Sequence, residues 1–83
     1  MEYHENWAVS LDRIERFFRE QPDVDAGAEG FSFGDCRIRL TELPSRPLGP
    51  VMVPYTLVEM TGSDSDTEKI HKRFFLRFIS AGG

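Results

Sequence analysis

Residues 65 to 83 read Ser65-Asp66-Thr67-Glu68-Lys69-Ile70-His71-Lys72-Arg73-Phe74-Phe75-Leu76-Arg77-Phe78-Ile79-Ser80-Ala81-Gly82-Gly83, and whether this stretch is helix or strand decides the fold. Ile70, Lys72, Phe74, Leu76 and Phe78 alternate against His71, Arg73, Phe75 and Arg77, as in a strand. That register sets Phe75 and Ile79 on the side of Arg73 and Arg77. Helical spacing does better: Ile70, Phe74 and Phe78 recur every fourth residue with Phe75 and Ile79 beside them, leaving only Leu76 and Arg77 awkward. Ser65 and Glu68 form a Ser-x-x-Glu capping box. Asp64, Asp66 and Glu68 sit at the positive end of the helix dipole, and Lys69, Lys72, Arg73 and Arg77 follow them. The pattern predicts a helix over 66–80, with Gly82 in the left-handed position that commonly ends one.

Working back toward the start, Trp7, Leu11, Ile14 and Phe18 fall at i, i+4, i+7 and i+11, with Phe17 widening the stripe. Pro22 stops this helix. Ser10 could cap a start at Leu11 and Asn6 an earlier one; membership of Trp7 in the stripe favours a helix over 7–20. Residues 23–30 have loop composition. Phe31-Ser32-Phe33 and Cys36-Arg37-Ile38-Arg39-Leu40 alternate, interrupted by Gly34-Asp35, which suits either a type II′ hairpin turn or a bulge in one longer strand. Pro44, Pro47 and Pro50 recur every third residue and predict a stiff polyproline connection. A strand over 51–61 follows, with Pro54 on an edge or at a bulge. The fold expected is α+β over residues 1–83 as a single domain: two helices on one face of an antiparallel two- or three-stranded sheet, in the order α-β-β-(β)-α.

Composition narrows the functional classes. A chain of 83 residues makes a single small core, and 40% hydrophobic residues with seven Phe, two Tyr and one Trp suffice to fold it. The net charge of −4 divides unevenly: residues 1–35 carry nine acids and three bases, residues 36–83 five acids and seven bases. Such a balance argues against nonspecific nucleic-acid binding. The lone Cys36 has no internal disulfide partner, and no segment reads as a signal peptide or a membrane span; a cytoplasmic protein without membrane contact is expected.

Chemistry-bearing patterns are sparse. Asp64-x-Asp66-x-Glu68 lacks the glycine and the distal glutamate of a calcium loop. Cys36, His4 and His71 are too scattered to ligate a metal, and no nucleophile and base share a telling spacing, so neither catalysis nor a cofactor is expected. Candidate binding residues are Arg37 and Arg39 on the outward side of their strand, Arg46 in the proline segment, and Arg73 on the basic outer face of the last helix. A small sheet with open edges and ten aromatics also favours self-association.

Two resemblances bear on function. The terminal Gly82-Gly83 resembles the tail of ubiquitin-like proteins and of small sulfur carriers, and implies activation of the terminal carboxylate; those proteins open with a β-hairpin, whereas a helix is expected first here. The order helix, three strands, helix is similar to the double-stranded-RNA-binding domain, but Asp64, Asp66 and Glu68 stand where that family places phosphate-gripping lysines. No nucleic-acid partner is therefore expected. The preferred function is a small non-catalytic accessory or protein-interaction domain, acting with a protein partner or as a homodimer. The alternative is a carrier activated at Gly82-Gly83.

Overall fold

The residues ahead of the first helix are a strand. A computed structural model describes residues 1 to 81, with side chains through Ile79, and it begins with β1 (Glu2–Trp7). Tyr3, Glu5 and Trp7 turn inward while Glu2, His4 and Asn6 stay exposed. α1 (Leu11–Glu20) starts at Ser10, so the expected start at residue 7 is corrected. Trp7 satisfies both periodicities. Its ring packs edge-on against Phe74, with centroids 4.9 Å apart, and it does so from a strand. The buried Thr56 hydroxyl donates to the Val9 carbonyl at 2.7 Å and pins the link between β1 and α1.

Four strands follow: β2 (Asp25–Gly27), β3 (Gly30–Phe33), β4 (Cys36–Leu48) and β5 (Val51–Thr61). The expected two or three strands are therefore five, in the spatial order β1-β5-β4-β3-β2 with every neighbour antiparallel, and the chain order is β-α-β-β-β-β-α. β2 falls in the segment expected as loop. Its Asp, Ala and Gly bury nothing and join the sheet through backbone pairing alone, which leaves no hydrophobic pattern. Gly34-Asp35 is a hairpin turn, closed by the pair Phe33 and Cys36; Gly34 has φ +57 and Asp35 a negative φ, as type II′ requires.

The proline segment is strand rather than connection. Pro44 falls within a bulge between Leu43 and Arg46, Pro54 lies opposite that bulge, and Pro50 sits in the turn after Gly49, whose φ is +62. Pro47 stands opposite Met52 on a strand with no further neighbour. Each missing N–H thus falls where the ladder asks for none.

α2 (Asp64–Ala81) follows β5. Its cap is Ser63, whose Oγ accepts from the Asp66 N–H at 3.3 Å, and not the expected Ser65. The choice is tertiary: the Asp35 carboxylate accepts from the Ser63 N–H at 2.9 Å, and the Asp35 N–H donates to Asp66 at 3.1 Å. The β3–β4 turn and the helix start thereby cap each other. Both helices cover one sheet face, where Ile14, Phe18, Ile38, Met60, Ile70 and Phe74 are almost wholly buried. Phe18 stacks on Phe74 at 5.7 Å.

Candidate interaction surfaces

Among the described residues, the register leaves the second sheet face without a covering layer. Across it run the rows Glu2, Thr61, Arg37, Ser32, Asp25 and His4, Glu59, Arg39. Beneath the β2–β3 hairpin this face forms a shallow groove of about 530 Å³, lined by Arg37, Arg39, Ser32, Thr61, Asp25, Glu29 and Glu59 among others. Arg37 and Arg39 point outward as their alternation predicts, and neither has an ion-pair partner among the described residues. Asp25, Glu29 and Glu59 nearly balance them, and Glu59 also accepts from His4 Nδ1 at 3.1 Å. The groove therefore has no strong preference for either sign of charge.

The other two arginines stand apart. Arg46 is seven residues from Arg39, roughly 20 Å along the strand, and lies over the ring of Tyr55 at 5.1 Å. Arg73 belongs to the helical layer. It grips Asp23 with two bonds of 2.8 and 2.9 Å, bonds Gln21, and covers Phe33 at 5.1 Å. The four candidates thus occupy three places, and Arg73 serves to tie α2 to the α1–β2 loop. Gly82 and Gly83, the candidate carrier tail, lie outside the described residues.

Two aspartates report on this tying. The Arg73 hydrogen bonds hold the Asp23 carboxyl below the usual aspartate range, and the same pair raises Arg73. The Ser63 backbone N–H does the same for Asp35, assisted by the Ser63 hydroxyl. A folded-state value below the unfolded one means that protonation favours unfolding. Their contribution is full above the unfolded aspartate value, about 4, and is lost as pH falls through the folded value. The thermal unfolding midpoint is expected to drop steadily below about pH 4, and Asp23→Asn should remove part of that drop.

The histidines and the cysteine are similarly occupied. His71 Nε2 lies 2.9 Å from Glu5 Oε1, which also accepts from Trp7 Nε1 at 3.0 Å, while the His71 ring stacks on Tyr3 with centroids 3.6 Å apart. This group braces β1 on α2. Cys36 is buried in the core, and burial pushes its thiol up, away from the reactive thiolate.

The largest departure from the expected molecule is an arm. β3 pairs with β4 only over Cys36–Ile38, and β1 pairs with β5 only over Thr56–Thr61. From Leu43 to Tyr55 the two strands have only each other and extend past the sheet, in a molecule measuring 41 × 26 × 23 Å. At the tip Leu48, Val51 and Met52 are 72, 58 and 60% exposed. Register puts Leu43, Arg46, Leu48, Val51, Val53 and Tyr55 on one face of the arm and Pro47, Met52 and Pro54 on the other. Both faces are apolar. The signal was present in the sequence: residues 43–58 contain Arg46 as their sole charged residue, in a chain that is 29% charged.

Compared with protein-family models, with curated proteins and with solved structures, the chain matches none. Among the described residues no helix is long and apolar enough to cross a membrane.

Proposed function

We propose that this chain is a small non-catalytic protein-interaction domain of the cytoplasm, and that the arm from Leu43 to Tyr55 is the element through which it binds. The carrying observation is the arm itself. An isolated two-stranded hairpin is marginally stable in water and gains stability only by packing on something. This one is apolar on both faces, and beyond its root its strands pair only with each other among the described residues. Its edges carry Pro47 and Pro54, which remove the amides that an added strand would use. Recognition is therefore through side chains on the arm's faces, with Leu48, Val51 and Met52 as anchors.

The Arg37–Arg39 groove plays a lesser part in this reading, since its carboxylates neutralise it. The braced His71–Glu5 pair and the buried Cys36 give no ground for catalysis. The test uses an arm-less variant in which Asn-Gly replaces residues 43–55, joining the register partners Glu42 and Thr56. Native isolation of the intact chain should recover a stoichiometric bound chain, and the arm-less variant should recover none while keeping its circular dichroism. Equal recovery by both, or none by the intact chain, overturns the proposal.

A further inference from the structure

The outer edge of β4 is closed by proline along the arm and open at its root. Which residues turn outward follows from the ladder. The Gly62 N–H donates to the Met1 carbonyl at 3.2 Å and the Met1 amino group to the Gly62 carbonyl at 2.9 Å, so Gly62 faces β1 and, by alternation, so do Met60, Val58 and Thr56. Glu59 and Leu57 therefore direct their backbone groups to β4, where they meet Arg39 and Thr41. Leu40 and Glu42 turn the other way. The Gly34-Asp35 hairpin gives the same answer: residues flanking a two-residue turn bond each other, so Cys36 and Ile38 face β3 and Leu40, Glu42 and Pro44 continue on that side.

β3 stops short of them. Its pairing with β4 ends at Ile38, and Gly30, with φ +144, leads back into the β2–β3 turn. Farther out Pro44 has no amide to offer, and Pro47, turned outward because Leu48 and Val51 close the next turn, has none either. Leu40 and Glu42 keep theirs. Among the described residues nothing pairs with their N–H and C=O groups on this side. A groove of about 470 Å³ lies along the edge, between Glu15 and Arg19 of α1, Glu29 of the β2–β3 turn, and Leu40 and Thr41.

We infer that an extended segment of a partner protein adds here as a further antiparallel strand, bonded backbone to backbone at Leu40 and Glu42. An unpaired strand edge recognises an extended backbone, and the side chains around it set the sequence. Glu15 and Arg19 answer each other at 3.8 Å, whereas Glu42 and Arg39 have no ion-pair partner among the described residues. The residue opposite Glu42 shares its sheet face and is basic. The next, opposite Thr41, falls on the face of Arg39 and is acidic; the third lies beside half-buried Leu40 and is apolar. This chain nowhere reads basic, acidic, apolar, so the partner is a different protein. The site is separate from the side chains of the arm, and either can hold without the other.

NMR titration of the intact, isotope-labelled chain tests the site, with the capped hexapeptide Thr-Val-Lys-Glu-Val-Thr as probe. The amides of Leu40 and Glu42 should shift and exchange more slowly, with a dissociation constant of about 1 mM or below. A probe with Lys and Glu exchanged should bind at least about 5-fold more weakly. Glu42→Pro removes an amide that the β5 ladder does not use, so its circular dichroism should be kept while binding weakens at least about 10-fold. Glu42→Gln keeps that amide and should lose only about 3-fold. Shifts centred on another surface, no binding up to about 10 mM, equal binding of the two probes, or Glu42→Pro binding as well as wild type would each overturn the added strand. Should Glu42→Pro not fold, the two probes and Glu42→Gln still decide.

Discussion

Phe74→Ala is expected to remove about 3 to 5 kcal/mol of folding stability, a large share of the roughly 4 to 12 kcal/mol available to a domain of 83 residues. Phe74 is wholly buried where the layers meet. Its ring stacks on Phe18 of α1 and meets Trp7 of β1 and Phe78 of its own helix. Phe17, which contacts both Phe18 and Phe78, is itself held in place beside it, so the space left by the ring is poorly refilled. Urea denaturation followed by tryptophan fluorescence checks this, Trp7 being the single tryptophan and lying against the deleted ring. Phe75→Ala, one residue on and exposed, should cost far less.

The second large effect is expected at Gly30. This residue has φ +144, and a Cβ built there would overlap the Ile38 carbonyl oxygen on the neighbouring strand. Alanine must therefore strain its own backbone and also push β3 away from β4 where Phe31 and Ile38 pair. A loss of about 3 kcal/mol follows, with β2 and β3 detaching first because β2 is held through β3 alone. Gly27→Ala is the control: the nearest atom to its added Cβ is the Gly30 carbonyl at 3.7 Å, an ordinary contact, and its φ is unexceptional. That variant should change stability by no more than about 0.5 kcal/mol.

Both helices were legible because each buries a broad apolar stripe and each has local stop signals. Expectation and structure part where a residue satisfies two patterns. Trp7 extends the α1 stripe by one turn, yet Tyr3 and Trp7 also alternate as a strand does, and pairing with β5 decides between them. Ser65-x-x-Glu68 is a complete cap by local pattern, yet the helix is capped by Ser63. Asp35, 28 residues earlier, selects Ser63 by binding its amide. β2 left no trace because a three-residue edge strand of small and acidic residues needs only backbone pairing.

The proline segment differs from its local pattern for a physical reason too. Prolines at every third residue suit a polyproline helix, but a strand accepts them when they meet a bulge, a turn and an unpaired edge, as here. The outward direction of Arg37 and Arg39 followed from alternation. Nothing local could show that Arg73 is held by Asp23, fifty residues away. The arm's low charge density was readable, but its meaning depended on knowing that two strands outrun their neighbours.

Hydrogen exchange of residues 43–55 tests the central claim most directly. In dilute, unassociated protein these amides should exchange fast, as those of a hairpin with no support do, while β4 and β5 within the sheet stay protected. In associated protein the arm should gain protection at Leu48 to Val53 ahead of every other strand. Association that protects another surface and leaves the arm's exchange unchanged would contradict the account.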